Sequence, residues 1–454
     1  MSLQEKIAHK QATIAIIGLG YVGLPHASAF GETGFSVIGI DIDSDRVNRI
    51  NQGISDIPDV LSTQIASLVR HGALEATTDY RRLVNADIIL ICVPTPFDNM
   101  KTPDLSYIIA AAEGILPHLH NESMVILQST TFPGTTEEIV QPILEQGGLQ
   151  AGRNFHLVFS PERIDPGNKD YSAHNIPKVV GGLTPGCTEM ACMLFAHLTP
   201  DIHPVSTPRA AEMTKLLENI FRSVNIALVN ELAMLMERMQ IDIWEVIDAA
   251  KTKPFGFMPF TPGPGVGGHC IPVDPYYLSW KAREFDFYTK FIELAAEVNA
   301  DMPDHVVRRI SDGLNLYGIS MRDARVLILG VAFKADIDDA RNSPARRVIE
   351  LLLKAGARVS FHDPHVLKLN VGGNALHRPG VLLESEALHP ALDRADAVAI
   401  LTNHSSVDYA EVVARSRILI DAVNATGDIP GAGKRVIKVG VPLPDRGAET
   451  ILES

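Results

Sequence analysis

Residues 13–23 are TIAIIGLGYVG, a β-branched run that ends in glycines spaced as G-x-G-x-x-G. The run predicts a strand at 13–17, and the glycines predict a tight turn that opens a helix. Gly34 is the predicted end of that helix, and a second strand is predicted at 35–40. This β-α-β unit with a glycine turn decides the fold.

The glycine turn also has a chemical use. Gly18, Gly20 and Gly23 let the backbone approach a pyrophosphate, and the helix N-terminus favours an anion. Asp41 lies 18 residues after Gly23, where its carboxylate could accept both ribose hydroxyls of NAD and would repel the 2′-phosphate of NADP. Together these features favour NAD as the cofactor, and a glycine-rich packing turn is the alternative.

Apolar runs at 86–94, 123–130, 156–159 and 178–180 do not alternate with polar residues, which is typical of strands buried on both faces of a parallel sheet. The C-terminal third repeats the pattern, with runs at 325–329, 358–362, 395–402 and 417–420. Its helix is predicted to start with Ser343 as N-cap and Pro344 at the first position, and to end at Gly356. The predicted fold class is α/β, with two Rossmann-like α/β domains joined by a long central helix.

The middle of the chain is predicted to be helical. Thr207-Pro208 is a helix start signal, and apolar residues then recur at helical spacing: Met213, Leu216, Leu217, Ile220, Val224 and Leu228. Residues 251–275 are rich in glycine and proline, which predicts a long shaped loop of functional use. The length of 454 residues predicts roughly three domains, at 1–206, 207–317 and 318–454.

Composition excludes several classes of protein. With 40 Lys+Arg and 54 Asp+Glu, the net charge of −14 argues against nucleic-acid binding, which needs a basic surface. The four cysteines include no C-x-x-C pair, so neither a disulfide framework nor a metal site is expected. The polar N-terminus and the lack of a long apolar run predict no signal peptide and no membrane span, and hence a reducing cytoplasm.

Polar residues follow the strands of the first sheet at the edge where open α/β sheets bind ligands. Pro94 and Thr95 lie at the end of one predicted strand, and Ser129, Thr130 and Thr131 lie at the end of the next. These residues are candidates for the cofactor site, although turn residues alone would give the same pattern.

Two pairs of polar residues are candidates for substrate binding. Lys215 and Asn219 are one turn apart on the central helix and could both point into a site, although spacing alone favours an ordinary polar face. Lys334 and Arg341 follow the first strand of the second sheet, where an anion could bind, and solvated surface charges are an equal alternative.

Cys270 lies in the sequence GGHC within the Gly/Pro loop, and Asp274 follows four residues later. A lone cysteine is more often a small core residue. The glycines around this one permit close approach of a ligand, which favours a nucleophile. The role of His269 stays open.

Taken together, these residues resemble the UDP-glucose/GDP-mannose dehydrogenase family from Ile14 to about Val441. The resemblance rests on GLGYVGLP, CVPTP, STTFPGTT, SPER, the Lys215/Asn219 helix, GPGVGGHCIPVDP and GVAFKADIDDARNSP, in that order. It implies an NAD-binding domain, a helical dimerisation region and a UDP-sugar-binding domain, in a homodimer or higher oligomer. It also implies a part in making a surface glycan such as O-antigen or capsule.

The resemblance implies roles for individual residues. The implied catalytic residues are Cys270, Lys215, Asn219, Asp274, Glu162 and Thr131. The implied cofactor-binding residues are Gly18, Gly20, Tyr21, Val22, Gly23, Asp41, Arg46, Pro94, Thr95, Ser129, Thr130 and Lys334. The implied substrate-binding residues are Glu162, Arg163, Lys215, Asn219, Gly267, Lys334 and Arg341.

The implied reaction oxidises a primary alcohol at sugar C6 to a carboxylate with two NAD⁺, through a Cys270 thiohemiacetal and thioester. Many members acting on UDP-glucose have a second glutamate four residues after that of SPE, but here this position is Pro166, so Glu162 is the remaining candidate to assist hydrolysis. SPERIDPGN and GPGVGGHC look most like members that oxidise UDP-N-acetylhexosamines, with UDP-GlcNAc favoured. UDP-ManNAc, UDP-GalNAc and UDP-glucose are the alternatives, followed by a single-step hydroxyacid dehydrogenase and a silent NAD-binding regulator.

Overall fold

The computed structural model describes residues 1–57, 59–97, 102–164, 171, 173–268, 271–373, 380–432 and 436–444, and all structural statements concern these residues. The chain divides into two compact units, Met1–Glu218 with Tyr276–Tyr288, and Asn219–Pro275 with Thr289–Ser454. No helix among the described residues is both long and apolar enough to cross a membrane.

The first unit is built on a sheet of eight described strands. They are β1 (Thr13–Ile17), β2 (Ser36–Ile40), β3 (Leu74–Thr77), β4 (Ile88–Ile91), β5 (Met124–Leu127), β6 (His156–Phe159), β7 (Lys178–Gly182) and β8 (Ile202–Val205). The strand order is β3-β2-β1-β4-β5-β6-β7-β8. All neighbours are parallel except β6 and β7, which pair antiparallel. The sheet is therefore mostly, but not wholly, of the predicted parallel kind.

The sheet of the first unit is buried on both faces, as its unbroken apolar runs predict. Along β1, Ile14 and Ile16 belong to one hydrophobic cluster, whereas Ala15 and Ile17 belong to the other. The residues of β4 alternate in the same way. The helices that cover these faces are α1 (Leu3–Ala8), α2 (Gly23–Thr33), α3 (Ser44–Asn51), α4 (Ser62–Arg70), α5 (Ser106–Ile115), α6 (Gln141–Glu145) and α7 (Pro185–Phe195).

Helix ends lie close to where local chemistry predicts them. Gly34 ends α2 in the left-handed conformation, with a φ of 101°, and its N–H donates to the carbonyl of Phe30. Short 3-10 turns lie at Tyr80–Asn85, Leu116–His118 and Arg283–Phe285, and a π-helical turn lies at Thr136–Val140.

The predicted central helix is present as α8 (Pro208–Met239), and it is followed by α9 (Ile243–Ala250), α10 (Asp274–Ala282) and α11 (Lys290–Leu316). Of the six apolar residues that predict α8, Leu216 is buried, but Leu217 and Leu228 are 59% and 52% exposed. Most of the other buried residues of α8 are small or polar, among them Ala211, Ser223, Ala227, Asn230 and Ala233. Periodicity thus identifies the helix correctly, but not which face is covered.

The loop predicted at 251–275 has no helix or strand in its described part, up to α10. Asp274, which was expected in the loop, is instead the first residue of that helix.

The second unit contains a smaller sheet with strands β9 (Arg325–Leu329), β10 (Arg358–His362), β13 (Ala397–Ile400), β14 (Leu419–Asp421) and β15 (Val436–Lys438), and a hairpin of β11 (Lys368–Val371) and β12 (Val381–Glu384). Its order is β10-β9-β13-β14-β15, all parallel. This repeats the order β2-β1-β4-β5-β6 of the first sheet. The repeat that the sequence predicts is therefore a repeat of strand topology.

The helices of the second sheet are α12 (Pro344–Lys354), α13 (Leu388–Arg394) and α14 (Tyr409–Arg415). The hydroxyl of Ser343 accepts the N–H of Ala345 and caps α12, with Pro344 at the first position, as predicted. Five strands, β3, β8, β11, β12 and β15, were not predicted. They are short, and none carries a long apolar run.

Candidate active site

The glycine turn at 18–23 is closely packed. Gly18 has a φ of 91°, and a Cβ there would lie 2.7 Å from the carbonyl oxygen of Cys92. A Cβ on Gly23 would collide with the carbonyl oxygen of Gly18, whereas a Cβ on Gly20 would meet no atom within 4 Å. Gly18 and Gly23 therefore make the turn possible, and Gly20 leaves open space beside the start of α2, as a pyrophosphate requires.

Asp41 follows β2 and is held against this turn. Its Oδ2 accepts the N–H of Leu19 at 2.8 Å, and its Oδ1 accepts the N–H of Asp43 at 3.0 Å. Arg46 Nη1 lies 3.5 Å from Asp41 Oδ2, and Arg46 also pairs with Asp56. The residues present fit NAD, because open glycine backbone and a fixed carboxylate are what its pyrophosphate and ribose need.

The predicted residues after β4 and β5 are brought together by hydrogen bonds. The hydroxyl of Thr95 donates to the carbonyl of Thr130 at 2.7 Å. The hydroxyl of Ser129 donates to the backbone carbonyl of Val93, which precedes Pro94, at 2.7 Å. Tyr277 of α10 donates to the carbonyl of Thr95. These loops form the edge of the sheet at which open α/β folds bind ligands.

Thr131 is buried and lies in a loop that Glu212 of α8 supports. The hydroxyls of Thr131 and Thr135 are 2.7 Å apart. The wholly buried carboxylate of Glu212 accepts the N–H of Gly134 at 2.6 Å, and both the N–H and the hydroxyl of Thr136 at 2.9 and 2.7 Å. Burial raises the pKa of Glu212, although these hydrogen bonds oppose the rise. Sequence reasoning did not assign Glu212, because a polar helix residue gives no sign of a distant loop.

Glu162, the predicted aid to hydrolysis, belongs to a buried cluster of charged and polar side chains. Its Oε2 lies 2.7 Å from Lys178 Nζ and 2.9 Å from His26 Nε2. Its Oε1 accepts the N–H groups of Arg163 and Ile164, both at 2.7 Å. Burial works to raise the pKa of Glu162, but Lys178 and His26 outweigh it and hold that pKa well below its usual value.

The cluster ties together parts of the first unit that are far apart in sequence. Lys178 lies in β7 with its side chain 0% exposed. His26 lies in α2, and its Nδ1 donates to the carbonyl of Val22 in the glycine turn, at 2.9 Å. Neither residue was predicted to matter. The one available signal was a lysine at the start of an otherwise apolar strand, KVVGG.

In the second unit, Asn219 and Asp274 form a buried pair. Asn219 Nδ2 donates to Asp274 Oδ2 at 2.5 Å, and the two residues are 6% and 2% exposed. Lys215 is half-buried on α8, one turn before Asn219. Cys270 and His269 lie outside the described residues, so the nucleophile stays a prediction.

Gly267 packs against the segment that follows β9. A Cβ on Gly267 would lie 2.8 Å from Phe333 Cβ and 3.1 Å from the carbonyl oxygen of Asn342. Asn342 also donates to the carbonyl of the next glycine at 3.1 Å. Lys334 and Arg341 belong to this segment, so the second unit brings the glycine loop against the segment that carries both predicted anion-binding residues.

The segment after β9 contains two charge arrangements that the sequence did not predict. Arg341 forms a close ion pair with Asp339, at 2.7 Å, and keeps 55% of its side chain exposed. Asp363 at the end of β10 accepts the N–H groups of Val331 and Ala332 at 2.8 and 3.0 Å. Asp363 thus repeats in the second sheet the position that Asp41 has in the first.

A glycine turn with a fixed acid on one Rossmann-like sheet, and a second sheet of the same plan, define the class as an NAD-dependent oxidoreductase. The chain belongs to the UDP-glucose/GDP-mannose dehydrogenase family. Its NAD binding domain matches residues 12–199, its central domain residues 209–301, and its UDP binding domain residues 327–428.

Similar proteins differ in the sugar that they are named for. The chain is 37% identical over 386 residues to the UDP-N-acetyl-D-glucosamine 6-dehydrogenase of Pseudomonas aeruginosa, covering 85% of this chain and 89% of that one. It is 36% identical over 420 residues to the NDP-N-acetyl-D-galactosaminuronic acid dehydrogenase of Ralstonia nicotianae, covering 90% and 95%. The solved structure of the UDP-D-ManNAc dehydrogenase from Pyrococcus horikoshii superposes with a TM-score of 0.84 at 32% identity, covering 94% and 99%.

Proposed function

We propose that this chain oxidises the C6 hydroxymethyl group of a UDP-N-acetylhexosamine, with UDP-GlcNAc favoured, to the uronic acid. Two NAD⁺ and one water are consumed, and two NADH are formed. The buried Asn219–Asp274 pair carries the proposal, since it places an amide beside a carboxylate that follows Cys270 by four residues in the sequence. The choice of sugar rests on SPERIDPGN and GPGVGGHC and on the similarity to the Pseudomonas aeruginosa enzyme.

In the first oxidation, Asp274 acts as the base that removes the C6 hydroxyl proton, directly or through one water, and Thr131 assists. Bound NAD⁺ supplies the hydride acceptor for both oxidations. Lys215 and Asn219 stabilise the negative charge that develops on the sugar oxygen, because a fixed cation and a fixed amide donor act most strongly on charge that forms in place. The product of this step is the aldehyde.

In the second oxidation, the Cys270 thiolate adds to the aldehyde carbon and gives a thiohemiacetal. The carbon is now tetrahedral again and carries a hydrogen that can leave as hydride. The free aldehyde does not release this hydride as readily. Loss of that hydride gives a thioester, and water then cleaves the thioester to the uronic acid and the free thiol.

Glu162 has an indirect part in this hydrolysis. A carboxylate offers about four lone-pair positions, and those of Glu162 are taken up by Lys178, His26 and two backbone N–H groups. We therefore propose that Glu162 fixes the segment that carries Arg163, which contacts the sugar, and does not itself orient the water. Lys334, Arg341 and Gly267 are the proposed contacts to the UDP portion.

We further propose that the chain acts as a homodimer in the cytoplasm, in the supply of a surface glycan such as O-antigen or capsule. The exposed apolar residues of α8 support the dimer: Leu217, Phe221, Leu228, Leu235 and Met239. Monomeric proteins rarely leave such a stripe uncovered. A cysteine that must stay reduced supports the compartment.

The test is NADH production with UDP-GlcNAc, UDP-ManNAc, UDP-GalNAc, UDP-glucose and GDP-mannose, comparing kcat/KM. The highest value is expected with an N-acetylated UDP-sugar. Asp274→Asn should lower kcat by about 10²–10⁴-fold, the usual loss when a general base is removed. Asp301→Asn, which changes an exposed aspartate of α11, is the control and should keep full activity. NADH formation with a simple hydroxyacid would favour the single-step dehydrogenase. Failure to form NADH with any of the substrates would favour the silent regulator.

A further inference from the structure

Three potential metal ligands meet at one edge of the second sheet. Asp336 follows β9, His365 follows β10 and His404 follows β13, so they come from loops that leave three adjacent strands. Asp336 Oδ1 lies 3.8 Å from His365 Nε2 and 3.9 Å from His404 Nδ1. All three ligand atoms lie within 4.8 Å of one another.

The triangle has a size that a metal ion could close. A point equidistant from its three corners is at most about 2.5 Å from each, compared with the roughly 2.0–2.2 Å of zinc–nitrogen and zinc–oxygen bonds. Asp336 and His365 are partly exposed and could move inward by the remaining distance, whereas His404 is fixed, with its side chain 1% exposed.

His404 has the second partner that metal-binding histidines usually have. Its Nε2 donates to Asp363 Oδ2 at 3.1 Å, so the free lone pair of the ring belongs to Nδ1. A carboxylate on the far nitrogen fixes the tautomer and raises the basicity of the near one. Nδ1 accepts the N–H of Asp336 at 3.0 Å, and a metal ion would have to replace this one hydrogen bond.

His365 provides an independent observation that points to a ligand at this place. Its Nε2 is buried and has no hydrogen-bond partner among the described residues. Its ring lies beside that of His404, with centroids 5.1 Å apart. Buried polar atoms without a partner are uncommon and often mark an ion or water site.

We propose that Asp336, His365 and His404 form a binding site for a divalent transition metal ion of the zinc type. Two imidazoles and one carboxylate suit Zn²⁺ and Co²⁺ and disfavour Mg²⁺ and Ca²⁺, which prefer oxygen ligands. Three protein ligands leave a fourth position open toward solvent. The absence of C-x-x-C pairs, which argued against a metal site, has no bearing on a His/His/Asp set drawn from three loops.

The test is Co²⁺ binding to the untagged full chain, followed by visible absorption and by calorimetry. The expected result is one Co²⁺ per chain, with a tetrahedral-type visible spectrum, displaced by Zn²⁺ and not by Mg²⁺. Cys270→Ser should bind equally well and should show the same spectrum, because no thiolate is involved. A thiolate-to-cobalt band that Cys270→Ser removes would place the metal elsewhere and overturn the proposal.

Two substitutions keep the test independent of folding. His365→Gln removes a partly exposed ligand whose Nε2 has no hydrogen-bond partner in the described part of the chain. Asp336→Asn keeps a residue type that tolerates the φ of 61° found there. Each should weaken Co²⁺ binding at least tenfold. His389→Gln, in an exposed pair with Glu411, is the matched control and should bind normally. Unchanged binding by His365→Gln, or no Co²⁺ binding by the unmodified chain at micromolar concentration, would refute the site.

Discussion

Replacing Lys178 with Met should destabilise the first unit strongly. Lys178 is wholly buried and Glu162 is 6% exposed, so the variant leaves a buried carboxylate without its closest cation. Removing one partner of a buried ion pair costs about 3–5 kcal/mol, far more than the pair contributes when it is intact. His26 remains 2.9 Å from Glu162 in the variant and still contacts the carboxylate, so we expect a loss in the lower part of that range.

The loss of stability in Lys178→Met should depend on pH in a definite direction. The folded pKa of Glu162 is lowered below its ordinary value of 4.5. In the unmodified protein, ionised Glu162 therefore makes its full contribution to the free energy of unfolding above that value. This contribution is lost only as the pH falls through the folded pKa. In Lys178→Met, burial without the lysine should raise the folded pKa, so protonation rescues the variant. The difference in free energy of unfolding between the two proteins should therefore shrink from pH 7 to pH 5.

The assay is urea unfolding followed by tryptophan fluorescence. The chain has two tryptophans, and Trp280 packs against Phe132 within the first unit, with ring centroids 5.1 Å apart. A Trp244→Phe background common to all variants therefore makes the signal specific to that unit. The double variant Lys178→Met/Glu162→Gln should lose less free energy of unfolding than the two single variants lose together, because the two groups interact directly.

Arg81→Met is the matched control, since Arg81 is 84% exposed in its pair with Asp79. It should change the free energy of unfolding very little, because solvent screens an exposed ion pair. A Lys178→Met loss no larger than that of this control, or a loss that does not vary between pH 7 and pH 5, would refute the reasoning about the buried cluster.

Three further predictions concern the cofactor and the central helix. Asp41→Ala should narrow the preference for NAD⁺ over NADP⁺, mainly by weakening NAD⁺, as measured by KM for each; equal use of both by the unmodified chain would contradict it. Gly20→Ala should fold normally and bind NAD⁺ more weakly in calorimetry, because its Cβ enters the open space, whereas Gly23→Ala should fail to fold because its Cβ meets the carbonyl of Gly18. Leu228→Glu should shift the proposed dimer toward monomer in light scattering, while Arg222→Glu, another exposed position on α8, should have a smaller effect.

Features set by neighbouring residues could be predicted from the sequence. The strands Thr13–Ile17 and Arg325–Leu329 lie where their β-branched runs predict them. The cap of α12 lies where Ser343 and Pro344 place it, because a hydroxyl N-cap and a first-turn proline act within one helical turn. The glycine turn was predictable for the same reason.

Features set by distant residues could not be predicted. Lys178 contacts His26 across 152 residues of sequence, and Glu212 supports a loop 76–78 residues away. No local pattern records such pairs. The exposed face of α8 has a different cause: periodicity locates an apolar stripe, but whether the stripe packs within one chain or against another depends on tertiary structure.

The central claim is a four-electron oxidation through Cys270, and the most direct measurement is the number of NADH formed per UDP-sugar consumed. The account predicts two NADH and one uronic acid per sugar for the unmodified chain. Cys270→Ser or Cys270→Ala should form at most one NADH per sugar and almost no uronic acid, while still folding and binding NAD⁺. One NADH per sugar from the unmodified chain, or uronic acid formed at an undiminished rate by Cys270→Ala, would contradict the account.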